Sequence, residues 1–199
     1  MLSFQQYKNR PLYESISKGE PIIVVDIQPA YEKFCDDVIS NDAFIQMINN
    51  QENILWFFNG DFDGLTNDNI NTLKSWLLEY GITKKTLKRI TFKEKSYGFL
   101  RGWMDNDVPY NIIIKVIREM YIKKKYSSDE LDLTKVLNDD ELELVPQYDS
   151  IGLTDIAIAQ LKKYSGFICG GGAEECLREI ELLMSAFNFK CKRLQEYIY

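Results

Sequence analysis

The chain contains no histidine among its 199 residues. That absence excludes every mechanism built on imidazole: Ser-His-Asp and Cys-His pairs, HExxH zinc proteases, and histidine-ligated iron or zinc. Acid–base chemistry must fall to Asp, Glu, Lys, Cys, Tyr or a metal-bound water. Cysteine is sparse as well, with Cys35, Cys169, Cys176 and Cys191 in neither CxxC nor metal-ligand spacing. Free thiols in a reducing compartment are expected. No apolar run approaches the roughly 20 residues of a membrane span. The opening MLSFQQYKNR lacks the apolar centre of a signal peptide. A soluble, cytoplasmic protein without a membrane partner is predicted.

What is present is ordinary for one globular domain, with 45% hydrophobic and 27% charged residues. Acids outnumber bases 30 to 24, for a formal charge of -6. Counterion release rewards clustered Lys and Arg, so this balance argues against a dedicated nucleic-acid binder. The charge is polarised along the chain. Lys84 to Lys95 holds six bases and one acid, whereas Ser127 to Asp149 holds eight acids and one Lys. Both runs read most simply as solvated surface. The 12 Tyr, 11 Phe and 3 Trp supply enough aromatic surface for a homo-oligomer interface.

Strand-like and helix-like segments alternate, the pattern of an α/β fold with a mainly parallel sheet. Pro21 to Asp26, Ile54 to Phe58, Ile90 to Phe92, Phe167 to Cys169 and Phe189 to Leu194 read as five strands. The first is a continuous apolar run, as expected of a strand buried on both faces. Thr66 or Asn67 can cap a helix carrying Ile70, Leu73 and Leu77, and Pro109 can open one carrying Ile112, Val116 and Met120. Leu177, Ile180, Met184 and Phe187 form a further stripe, and Asn188 suits its left-handed end. The predicted architecture is a single three-layer α/β/α domain over 1–199, with an acidic helical insertion, or lid, at about 106–150.

Ligands of open parallel sheets sit beyond the carboxyl ends of the strands. Those ends are Asp26, the Asn59 to Asp63 turn, Lys93 to Lys95, and Gly170 to Cys176. A carboxylate, a lysine and a cysteine thus fall at one edge. Cys176 opens a helix, where free N–H groups and the macrodipole stabilise an anion and lower a thiol pKa. Lys93 or Lys95 would favour the thiolate, and Asp26 would exchange the proton.

The segment FICGGGAEECLREIELLMSAFNFK resembles the cysteine motif of the isochorismatase-like hydrolases, which include nicotinamidases. In that family a strand-ending glycine is followed six residues later by the nucleophilic Cys, and the helix ends in a Gly-aromatic-Lys step. Gly170, Cys176 and Asn188-Phe189-Lys190 match that register, with Glu174 where the family often has Asp. IIVVDIQ is similar to the strand carrying the catalytic Asp, and KEKSYGFLRG to the lysine loop. The resemblance implies small-molecule hydrolysis at an amide, amidine or vinyl-ether-like carbon, with Cys176 as nucleophile and Asp26 as general base. Lys95 or Lys93 would be the electrostatic partner: family spacing favours Lys93 and loop geometry Lys95. Gln28, Asn59, Tyr97, Phe99, Arg101, Gly171 and Gly172 would bound the substrate. The Gly171–Gly172 bond would replace the family's cis peptide, and no cofactor is implied. The metal-binding histidines of nicotinamidases are absent, PAYEKF follows IIVVDIQ where the family commonly has Asn-Asp-Phe, and the Lys-to-Cys interval is long. VDIQPAYEK, GGGAEECLREIE and EYIY also resemble uncharacterised tailed-phage proteins, which implies no activity.

Two other function classes compete. Asp26, Asp61, Asp63 and Glu175 form a carboxylate set for Mg²⁺, as in a PIN-like nuclease or phosphoesterase. NGDFDGLTNDNI also resembles a calcium loop, but Ile70 fills its twelfth position, where Glu is required. A catalytically idle phage protein would instead use the acidic segment to bind a host factor.

Overall fold

The computed structural model describes residue 16 and residues 19–60, 70–95, 99–153 and 158–199. Its β1 (Ile22–Val25), β2 (Ile54–Asn59), β3 (Ile90–Lys95), β4 (Phe167–Gly170) and β5 (Lys192–Arg193) form one parallel sheet in the order β3-β2-β1-β4-β5. The central strands β1 and β2 are buried along their whole length. Helices must cover both faces of such a sheet, so both side-chain phases need to be apolar. The last strand is shorter than the Phe189 to Leu194 segment expected there, pairing only at Phe167–Lys192 and Ile168–Arg193.

Alternation along the strands sorts the apolar residues into two cores. Ile22, Val24, Ile54, Trp56 and Phe58 face one side, packed with residues of α1 (Glu32–Ile39), α2 (Asp42–Asn50) and α3 (Ile70–Glu79). Ile23, Val25, Leu55 and Phe57 face the other, against α6 (Tyr110–Lys123) and α9 (Cys176–Ala186). The remaining described helices are short: α4 (Lys84–Leu87), α5 (Arg101–Asp105), α7 (Asp139–Leu142) and α8 (Ile158–Lys163). Among the described residues no helix is long and apolar enough to cross a membrane.

The acidic segment lies between β3 and β4 in sequence. Its helix α6 is a core layer rather than a lid, with Ile113, Val116, Ile117 and Met120 buried on the β-sheet side cluster shared with α9. Beyond α6 the chain makes two 3₁₀ turns and α7, whose Asn138 and Glu141 form a reciprocal capping box. Several acids here are matched on the surface, as in Glu130–Lys125, Asp132–Lys135 and Glu141–Lys115. That is the solvated charge expected of such a run.

The chain runs outward from β1 to β3, then returns to lay β4 on the other side of β1. The topological switch point lies between the carboxyl ends of β1 and β4. Gly170 ends β4 at φ +76, and a Cβ there would run into the Val25 carbonyl oxygen. Gly170→Ala should therefore lower stability by at least about 2 kcal/mol in urea unfolding. Gly19→Ala, where an added Cβ meets nothing within 4 Å, should leave the midpoint close to that of the parent chain.

Candidate functional site

Asp26 follows the last residue of β1 and holds a left-handed backbone, φ +53. Asp tolerates that region better than most residues, at a cost of order 1 kcal/mol. The turn shifts the side-chain phase. Ile22 and Val24 belong to the α1–α3 core, and strict alternation would send Asp26 there too. Instead Ile27 enters that core, while the Asp26 carboxylate meets Lys95 on the α9 side. The peptide is held on both sides, with Asp26 N–H donating to Phe57 O at 3.0 Å and the Tyr199 hydroxyl donating to Asp26 O at 2.7 Å.

Lys95 is the last residue of β3. Its strand mate Thr91 bonds Tyr164 of the α9-side core, so Thr91, Lys93 and Lys95 share that face. Lys95 Nζ lies 2.6 Å from Asp26 Oδ2 and 2.8 Å from Glu179 Oε2. Asp26, Lys95 and Glu179 are 0%, 2% and 4% exposed. Between the two lysines, this ion cluster takes Lys95; Lys93 lies half-buried one pleat earlier, in register with Phe57.

Cys176 is the first residue of α9, beside these charges. Gly171, at φ +62, brings the preceding turn within van der Waals reach: a Cβ there would lie 3.3 Å from Cys176 Cβ and 3.1 Å from Leu177 N. Gly172 O accepts from Glu175 N–H and Leu177 N–H. Among the described residues the N–H groups of Cys176 and Arg178 have no backbone acceptor. They are the open donors of a helix start. All peptide bonds among the described residues are trans, including Gly171–Gly172, so the cis peptide implied there is replaced by left-handed glycines.

The electrostatics correct one expectation from the sequence. Burial pushes the Cys176 thiol up to about 12; the Asp26 carboxylate adds to this and the Lys95 ammonium opposes it. The helix start does not deliver a resting thiolate, because desolvation and a facing carboxylate outweigh it. Burial also raises the Asp26 carboxyl against the pull of Lys95. For Lys95 burial favours the neutral amine, but Asp26 and Glu179 prevail and raise its pKa. The resting site is a thiol beside a carboxyl group with enhanced basicity.

The other expected site residues divide. Asn59 sits at the end of β2 opposite Lys95, and its Nδ2 donates to Tyr31 Oη at 2.9 Å. Gln28 is spent on structure: Nε2 donates to Asn59 O at 3.0 Å and Oε1 accepts from Asn59 N–H at 2.8 Å. Phe99 is buried in the α9-side cluster with Leu100 and Trp103. Arg101 is bound by Asp105 and Glu175, each at 2.9 Å. Glu175 is thereby neutralised at the surface rather than turned toward Asp26. Tyr97, Asp61 and Asp63 lie outside the described residues. Among the described residues no three metal-ligating side chains gather, and Asp26 is matched by an ammonium.

Three neighbours were not foreseen: Glu179, Tyr31 and Tyr199. Glu179 had a signal, a carboxylate three residues after Cys176 inside the buried stripe of α9. The two tyrosines had none, since long-range folding brings them in. Burial and then the Asp26 charge raise both phenols, Tyr31 up to about 12.

A raised Asp26 pKa costs stability at neutral pH. The folded state is favoured below the unfolded carboxyl value, near 3.9, and loses that advantage as pH rises through the folded value. Asp26→Asn keeps a residue tolerant of the left-handed turn and leaves Lys95 paired with Glu179. It should unfold later than the parent at pH 8, by about 1 kcal/mol, and the gain should vanish toward pH 4. Thermal unfolding across that range is the measurement. Compared with family models, curated proteins and solved structures, the chain finds no match in any of the three.

Proposed function

We propose that this chain hydrolyses a small molecule at an amide, amidine or vinyl-ether-like carbon through an Asp26–Lys95–Cys176 set. The observation that carries the reading is the buried meeting of Asp26 and Lys95, 2.6 Å apart, beside a thiol at a helix start. Buried ion pairs are poor devices for stability, and strained backbone with shifted titration clusters at functional sites. Three side chains from β1, β3 and α9 at a switch point are what a nucleophilic site without imidazole requires.

For an acyl substrate R–CO–X the steps follow from the resting protonation. Sγ of Cys176 attacks the carbonyl carbon as its proton passes to the Asp26 carboxylate. Lys95 balances the negative charge, and the Cys176 N–H is the nearest open donor for the oxyanion. The C–X bond breaks, X takes the proton from Asp26, and a thioester on Cys176 remains. Water attacks the thioester carbon while Asp26 accepts its proton. Collapse releases the acid R–COOH and returns the proton to Sγ. One water is consumed for each HX released, and the resting protonation is restored.

A panel of small carboxamides, amidines and vinyl ethers, assayed for release of ammonia or acid, supplies the test. On any substrate found, Cys176→Ala should fall to background, and Asp26→Asn should lose about 10²–10⁴-fold in kcat/KM. Iodoacetamide should inactivate and EDTA should not. An activity that survives thiol alkylation but disappears in EDTA overturns the cysteine mechanism.

A further inference from the structure

The Asp26–Lys95 ion pair closes across the end of β2. The sheet order puts β2 between the strands that carry these two residues, yet Lys95 Nζ lies 2.6 Å from Asp26 Oδ2. The residue at that end is Asn59, in register with Lys95. Leu55 and Phe57 belong to the α9-side core, so the two-residue period puts Asn59 on the face that Cys176 packs against. Asn59 is 5% exposed and is held from several sides. Gln28 bonds both its main-chain N–H and its carbonyl oxygen, and its Nδ2 donates to the Tyr31 hydroxyl at 2.9 Å. Asp26 and Cys176 both act electrostatically on that phenol, which places it at the same site. Asn59 Oδ1, by contrast, has no hydrogen-bond partner among the described residues. A buried amide oxygen gives up its hydration without return unless a donor meets it. A fixed carboxamide with one open acceptor, beside a nucleophile, is a socket for a ligand donor.

We propose that Asn59 Oδ1 accepts an N–H of the substrate, so that the reacting carbon bears nitrogen and the group released is ammonia. This rests on the hydrolase reading above and narrows it. Carboxamides and amidines share that N–H on the reacting carbon, whereas a vinyl ether has none to offer. With X as NH₂ in the steps above, R–CO–NH₂ and one water give R–COOH and NH₃. An amidine R–C(=NH)–NH₂ and one water give R–CO–NH₂ and NH₃ by the same exchange of a C–N bond for C–S and then for C–O. Asn59 would discriminate because an analogue without the N–H leaves its buried oxygen unpaired.

The probe is N-ethylmaleimide, whose addition to Cys176 is followed by peptide mass spectrometry while small carbonyl compounds compete. Each carboxamide is matched to the ketone in which CH₃ replaces NH₂: acetamide with acetone, propionamide with butanone, benzamide with acetophenone. Benzamidine completes the set and separates the two nitrogen classes. The ketones keep the carbonyl and the shape but carry no N–H. In the parent chain an amide or amidine should protect Cys176 at about tenfold lower concentration than its ketone, as one hydrogen bond would give. Asn59→Leu keeps the main-chain bonds to Gln28 and nearly the same volume, and there the ratio should fall to about one. Equal protection by amides and ketones in the parent overturns the proposal, as does no protection by any compound. A preference that persists in folded Asn59→Leu overturns it too. The parent ratio is read without any variant, so the proposal does not depend on Asn59→Leu folding. Amide protection without ammonia release counts against the hydrolase reading alone. Turnover of a vinyl ether as readily as of an amide supports that reading and overturns this one.

Discussion

A single ammonium held between two buried carboxylates organises the carboxyl edge of the sheet. Lys95 bridges Asp26 and Glu179, and through them the ends of β1 and β3 and the first turn of α9. Each ion loses several kcal/mol of hydration on burial. Mutual attraction offsets that loss only where the ammonium lies against a carboxylate, so the position of Lys95 constrains the elements that carry its two partners. The left-handed turn at Asp26 and the glycines at 170 and 171 are the local distortions that allow the elements to meet.

Around that cluster the chain fixes the turn before Cys176 from several directions. Arg193 on β5 donates to Ala173 O at 3.0 Å and pairs with Glu181 of α9. Arg101 reaches Glu175, and Tyr199 joins the site by two bonds, its N–H to Gly171 O and its hydroxyl to Asp26 O. The exposed pairs contribute little each. Their geometric effect is larger, because together they fix where the Cys176 thiol lies relative to Asp26. The arrangement is thereby set by the fold itself, with Cys176 resting as a thiol.

Much of this was legible along the chain. Continuous apolar runs such as IIVV and ILWFF, short and rich in β-branched or aromatic residues, suit strands covered on both faces, and they became β1 and β2. Asn188 was legible as a left-handed helix end and is one, at φ +60. Helices α1 and α2 were harder to see, because eight- and nine-residue segments rich in Asp and Asn give a weak periodic signal. The core position of Phe99 was not legible, because an aromatic beside a candidate loop looks the same whether it faces a ligand or the core. Glu179 was passed over because helix-surface glutamates are common, and only the packing of α9 turns this one inward.

The sequence by itself determined the chemistry available and the edge on which it falls. It has no imidazole, and its strand-ending acid, lysine and glycine turn to cysteine each follow from local composition and period. Tertiary structure decided which lysine meets Asp26, that a second carboxylate shares it, and that the thiol rests protonated. Those outcomes depend on the position of the β3 end relative to α9 and on how much water folding removes between them. Desolvation and Coulomb attraction over a few ångströms are properties of the packed site, and no spacing along the chain encodes them.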